Sequence, residues 1–403
     1  MFRSLTLTVS VLLLALLGYA GPLAARENSN TLQVFILTGQ SNMQGHAKIP
    51  TLEYLADDPA TRPLYEQMVD PKTKRPRVID GVWICDLTAG RNGDAESFGP
   101  LTAGYGARRG SQLGEKFGPE FSFGVRMREQ TDQPVLLIKT AWGGKSLHTD
   151  FRPPSMGAYE LSERERENLK KRGKDPDAEA EARRLQSGEF YRRTIAQVKR
   201  VLADPSRVCP AYDPKAGYEL QGFVWFQGWN DLVASDVYPE RGKPGGYDRY
   251  SECLAAFIRD VRNALDAPKL PFVIGVLGVD GPITNVSERY RKTHGFFRDA
   301  MAAPASMPEF QGNVAAVRTG QYWDMPLDRV QKKFAKVNQR RRELEKKMKS
   351  GDLSREEFDV QTAKYRNEIL TEEEIRLRDR AASNAGYHYY GCGKTLALIG
   401  RAF

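Results

Sequence analysis

Gly39-Gln40-Ser41-Asn42-Met43-Gln44-Gly45 sets a serine among small and amide residues, directly after the apolar run Val34-Phe35-Ile36-Leu37. Such a run predicts a buried strand. Ligands of open α/β sheets bind just beyond the carboxyl ends of strands, so Ser41 stands where a nucleophile would be useful. The same residues would also make an ordinary Gly/Asn turn. What separates the two readings is whether a base and oxyanion donors follow other strands.

Four histidines can be considered as the base: His46, His148, His294 and His388. His388 lies in Gly386-Tyr387-His388-Tyr389-Tyr390-Gly391, immediately before a closing helix at Lys394 to Phe403. That helix follows the last predicted strand, so its leading loop should reach the sheet edge that carries Ser41. His388 is therefore the favoured base, against the alternative of a histidine hydrogen-bonded among tyrosines. Oxyanion donors are offered by two segments. Ala141-Trp142-Gly143-Gly144-Lys145-Ser146-Leu147 follows the run Val135–Ile138, and its glycines let backbone N–H groups approach a ligand. Gln227-Gly228-Trp229-Asn230-Asp231 follows Phe223–Phe226, and the Asn230 amide is a second donor. A glycine turn and a helix cap by Asn230 or Asp231 are the plainer alternatives. Each is plausible singly; the order Ser, Gly, Asn, His at four such segments is much harder to obtain by accident.

Stepping along the chain, short apolar runs at Val34–Leu37, Val135–Ile138, Phe223–Phe226, Phe272–Leu277 and Val314–Val317 alternate with helix-like stretches. Those stretches begin at Gly118-Pro119-Glu120, Tyr191, Tyr250 and Lys394. The alternation predicts an α/β fold with a parallel sheet covered by helices on both faces. Residues 46–116 read as loop-rich. Residues 161–184 read as charged helix broken near Gly173. Residues 328–380 read as a charged helical hairpin that interrupts at Ser350-Gly351-Asp352, with Ser354 and Glu357 spaced as a capping box.

The chain has 403 residues, 40% hydrophobic and 28% charged, enough for one sizeable core. Residues 1–25 have the form of a secretory signal: Arg3, then the apolar stretch Leu5–Ala20, then small residues. A secreted or periplasmic location follows as the expectation, with the folded domain at 32–403. The cysteines Cys85, Cys209, Cys253 and Cys392 permit three full pairings, among which sequence does not choose. No CxxC or HExxH occurs, which argues against structural zinc and zincin chemistry. The net charge of +9 suits anionic partners or simple solubility. An exported chain without a binding motif is a poor candidate for nucleic acid. Oligomeric state is left open.

The four segments together resemble the SGNH hydrolase superfamily. The Gly39–Gly45 block resembles the sialate O-acetylesterase-like branch, which includes carbohydrate esterase family six. Gly143-Gly144-Lys145-Ser146-Leu147 and Gly118-Pro119-Glu120 resemble other blocks of that branch, and Gly228-Trp229-Asn230-Asp231 resembles the superfamily's GxND block. The resemblance implies a three-layer α/β/α sandwich of SGNH or flavodoxin-like type, and a secreted carbohydrate O-acetylesterase needing no cofactor and no metal. Its partner would be an acetylated sugar of sialate or xylan type; the basic charge adds an acidic polysaccharide as a further option. Carried over by position, Ser41 is the nucleophile and His388 the base. The Ser41 backbone, Gly143 or Gly144, and Asn230 form the oxyanion hole, and Gln40 and Trp229 are the substrate-contacting candidates. Two positions depart from the pattern: Ala385 stands where an aspartate often precedes the histidine, and Trp229 where family six often has a glutamate. Asp324 and Asp231 are then the candidate acids, with a Ser–His dyad as the further option. The rival reading is a non-catalytic carbohydrate-binding protein on the same scaffold.

Overall fold

The computed structural model describes residues 30–90 and 93–403; the proposed signal at 1–25 lies outside them. Seven strands form one sheet: β1 (Leu32–Gly39), β2 (Ile79–Gly90), β3 (Gly93–Leu101), β4 (Val135–Ala141), β5 (Tyr218–Phe226), β6 (Phe272–Val276) and β7 (Val314–Arg318). Their order is β3-β2-β4-β1-β5-β6-β7. All neighbours are parallel except β3, which runs antiparallel along β2 as an edge. The chain leaves β1 to one side for β2 to β4 and returns to the other for β5 to β7. The switch in direction opens a crevice above β1, β4 and β5, where open α/β sheets take their ligands.

Helices cover both faces. α1 (Ser41–Gln44) is a single turn, followed by α2 (Glu120–Gln130), α3 (Glu189–Ala203), α4 (Asp248–Ala264) and α5 (Glu288–Ala302). Then come α6 (Met325–Lys349), α7 (Arg355–Ile369), α8 (Glu372–Ala381) and α9 (Gly393–Ala402). Alternation along β5 shows why two layers form. Phe223 and Trp225 pack on Phe257 of α4, whereas Phe226 points the other way, onto Phe403 beyond α9. Phe35 of β1 meets Phe123 of α2 on its own side. The strands around β1 are apolar almost throughout because both of their faces are buried.

The 46–116 region differs from its loop-rich expectation. It contains the β2–β3 hairpin, paired from Ile79↔Leu101 to Gly90↔Gly93. Asp86 and Thr88 break the apolar reading of β2, yet both are buried, Asp86 because it closes an ion pair with Arg108. In the charged C-terminal region, α6 packs along α7 and α8. A small core of Val330, Val337 and Leu370 lies between them. All four cysteines are buried and unpaired.

Gly39 is where the sheet and the site meet. A Cβ there would sit 2.1 Å from the Phe226 carbonyl oxygen, so only glycine lets the end of β1 press against the end of β5.

Candidate active site

Ser41 opens α1 one residue beyond β1 and is 7% exposed. The loop after β4 comes to it directly: a Cβ on Gly143 would lie 3.7 Å from the Ser41 Cβ. Gly143 and Gly144 are exposed, and Gly144 has φ +73°, a left-handed conformation that glycine takes without strain. The block after β5 is tied to both. The Asn230 Nδ2 donates to the Gly144 carbonyl at 2.9 Å, which leaves its second N–H for a ligand. The Gln40 Nε2 donates to Asn230 Oδ1 at 3.2 Å, while Gln40 Oε1 accepts from Gly228 N at 3.0 Å.

The loop bearing His388 joins from the far end of the chain. The Asn42 side chain, next to Ser41, donates to the Tyr387 carbonyl, next to His388, at 3.2 Å. The Tyr387 ring packs on Trp229 with centroids 5.7 Å apart. Ser41, Gly143, Gly144, Asn230, Trp229 and His388 are thus brought to one place.

Two sequence expectations need correction. Asp324 does not orient His388. Its carboxylate caps α6, accepting from Leu327 N at 2.8 Å. Asp231 does not orient it either. Fully buried, it accepts from Leu147 N at 2.8 Å and Tyr238 Oη at 3.0 Å, and lies 2.9 Å from His148 Nδ1. Burial raises the Asp231 pKa, but His148 and these donors outweigh it and hold the carboxyl below its ordinary range. Gln40 is 2% exposed and both ends of its amide bond the Gly228–Asn230 turn, which places it to position Asn230. Trp229 is half-buried, with its ring against Tyr387.

The partner of His388 is a residue that the sequence reading passed over. Asn384 Oδ1 lies 3.0 Å from His388 Nδ1. The same oxygen accepts from Ala385 N at 2.8 Å, which identifies it as the acceptor end of the amide. His388 therefore carries its proton on Nδ1 and presents a free Nε2 lone pair. Among the described residues no carboxylate is hydrogen-bonded to or paired with the ring. Burial, followed by the charge of Lys116, lowers its pKa to about 4. His46, one of the less favoured candidates, stacks on His388 with centroids 4.0 Å apart and planes 4° apart, and is lowered to about 3, first by burial and then by His388. His294 lies away on α5, buried beside Arg298.

The turn after His388 is strained and heavily anchored. Tyr389 and Tyr390 both have positive φ, 51° and 59°. Such conformations cost energy in non-glycine residues and persist where surroundings over-determine them. The Tyr389 hydroxyl accepts from Gly278 N at 2.7 Å and lies 2.6 Å from Thr319 Oγ1; the Tyr390 hydroxyl donates to Asp328 of α6 at 2.9 Å. Beneath α1, the fully buried Lys139 donates to the Gln44 carbonyl at 2.9 Å and pairs with Glu120 at 3.0 Å.

A cavity of about 460 Å³ opens beside Asn230, lined also by Ser146, His148, Asp150 and Arg183. A larger one of about 840 Å³ lies at the β6–β7 side of the sheet, and no residue of the Ser41 group lines it.

A model of the family described as carbohydrate esterase, sialic acid-specific acetylesterase, matches residues 31–306. No curated protein matches. Among solved structures, a protein from Arabidopsis thaliana is 15% identical with a TM-score of 0.35, covering 71% of this chain and 85% of its own. A carbohydrate acetylesterase from Xanthomonas citri is 15% identical with a TM-score of 0.38, covering 70% of this chain and 49% of its own. This chain thus spans about half the length of the latter.

Proposed function

The chain belongs to the sialic acid-specific acetylesterase family of carbohydrate esterases, and from that premise we propose that it removes acetyl groups from sugars through a Ser41–His388–Asn384 triad. The observation that carries this reading is the convergence of the Ser41, Gly143, Asn230 and His388 segments above β1, β4 and β5.

Ser41 Oγ attacks the acetyl carbonyl while His388 Nε2 takes its proton. The Ser41 and Gly143 N–H groups and the second Asn230 N–H stabilise the oxyanion; the Gly143 N–H makes no other hydrogen bond among the described residues. The imidazolium returns its proton to the leaving sugar hydroxyl. Water, activated by His388 in turn, releases acetate from the acyl-enzyme. The half-buried Trp229 is the aromatic ring placed to meet the sugar.

A neutral amide in place of the usual carboxylate orients His388 but does not stabilise its charged form. Two consequences follow. The acid limb of kcat/KM is expected near pH 4, because His388 stays neutral and able to act as base until the pH falls through its lowered pKa of about 4. Asn384→Asp places a negative charge on Nδ1, favours the imidazolium, and is expected to move that limb upward. Asn384→Ala frees the ring and is expected to cost about 10²-fold in kcat, with the limb much less displaced. A pH profile of all three proteins checks this, and an acid limb unmoved in Asn384→Asp would remove Asn384 from the triad.

The proposal as a whole is tested by acetate release from p-nitrophenyl acetate and a panel of acetylated glycans. Release from at least one acetylated glycan is expected, and none from any ester by folded protein would overturn it. The missing carboxylate favours one second reading, glycan binding without turnover, in which Ser41→Ala leaves glycan affinity unchanged and wild type releases no acetate.

A further inference from the structure

The positive charge of this chain is concentrated in one element. α6 carries ten lysines and arginines against three acidic residues, so its 25 residues hold +7 of the chain's net +9. Its buried side is set by Val330, Val337 and Leu344, one every seven residues. Lys336, Arg340 and Lys347 form one line beside the opposite face; Arg342, Lys346 and Lys349 form another. Arg340 and Lys349 are paired within the helix to Glu343 and Glu345. Lys336, Arg341, Arg342, Lys346 and Lys347 are all exposed, and none closes an ion pair among the described residues.

Unpaired like charges at this density repel one another, at a cost that solvent and salt screen only in part. A polyanion lying on the ridge would relieve that repulsion and release its own counterions. From Lys336 to Lys349 the ridge runs about 20 Å at the helical rise, long enough for several successive anionic groups of a polymer. The helix that bears it begins beside the His388 loop: Asp328 in the first turn of α6 accepts from the Tyr390 hydroxyl, and Trp323 just before α6 packs on the Tyr390 ring at 4.9 Å.

We propose that the outer face of α6 is a binding surface for acidic polysaccharide, carrying carboxylate or sulfate groups along its chain, and that the acetylated substrate is a polymer of this class. The second half rests on the esterase reading; the first does not. A chain held on α6 is retained near Ser41 between turnovers, raising the local concentration of its acetyl groups. The choice of glycan over other polyanions follows from the carbohydrate esterase family of the domain into which α6 is built.

Binding is measured without turnover, so its outcome is independent of whether Ser41 reacts. Full-length protein is titrated with alginate, dextran sulfate, neutral xylan, a DNA duplex and anionic phospholipid vesicles at several ionic strengths. Alginate or dextran sulfate is expected to bind with a salt-dependent Kd, and xylan far more weakly. The variant Lys336→Gln/Arg342→Gln/Lys346→Gln/Lys347→Gln is expected to raise that Kd about tenfold or more and to flatten its salt dependence. A control of equal charge loss away from α6, Lys170→Gln/Lys171→Gln/Lys199→Gln/Lys269→Gln, is expected to change Kd by less than about twofold. Circular dichroism verifies the fold of both. Equal losses in the two variants, equal binding of xylan, or binding confined to DNA or vesicles would overturn the proposal.

Discussion

Ser41→Ala is expected to lower kcat for acetate release by about 10⁴-fold or more while leaving the fold intact. The hydroxyl is the only atom removed, and a Cβ remains against Gly143, so the walls of the site persist. His388→Ala should cost a similar factor, because a serine without a base is a poor nucleophile near neutral pH. The two losses should not add: once either residue is gone, the other has no step left to perform, and the double variant should equal the worse single one. What remains in all three is the contribution of the oxyanion donors and of sugar binding. Initial rates with circular dichroism of each variant test this. A folded Ser41→Ala protein that keeps more than about a tenth of wild-type kcat would move the nucleophile elsewhere.

Lys139→Met is expected to be the most destabilising single change at the site, by about 3–5 kcal/mol. Lys139 is fully buried at the end of β4, and its ammonium is shared by Glu120, the Gln44 carbonyl and the Tyr105 carbonyl. Removing it strands the Glu120 carboxylate in a site with no exposure, and leaves Asp86 with Arg108 as its remaining partner. Asp86 is already pushed above its ordinary pKa by burial, so loss of Lys139 drives it further toward protonation. Glu120→Gln added to Lys139→Met should recover part of the loss, since the unpaired charge is then gone. Denaturant midpoints of the two single variants and the double variant measure the coupling. A loss below about 1 kcal/mol in Lys139→Met would show that the network relaxes without its cation. The change should also reach catalysis, because the Gln44 carbonyl that Lys139 holds ends the turn begun by Ser41.

The candidate residues Ser41, Gly143 and Asn230 were legible in the sequence because each follows an apolar strand and has few ways to be there. Strand runs at Val34–Leu37, Val135–Ile138 and Phe223–Phe226 locate the candidate nucleophile, the glycines and the asparagine in advance. A strand buried on both faces has an apolar pattern that does not depend on its neighbours. The family followed from the same blocks. What surrounds the base was not legible, since it depends on contacts between parts distant in sequence. The pull toward a carboxylate led to Asp324 and Asp231, two acids that the fold had already spent, one on the first turn of α6 and the other on His148 and the Leu147 N–H. Asn384, four residues from His388, has no apolar pattern to mark it; its role appears only when the Tyr389–Tyr390 turn folds the chain back on itself. The β2–β3 hairpin was hidden for a related reason. A buried Asp86 reads as a surface residue until Arg108 is brought to it. Sequence by itself thus determined the strands that lead into these blocks, the candidate serine, its candidate base and the family, because local periodicity and short blocks encode them. Tertiary structure alone decided the orienting partner of His388, the hydrogen-bonded amide of Gln40 and the buried cation beneath Ser41. Each of these is a polar group whose meaning depends on which distant group satisfies it in a site closed to water.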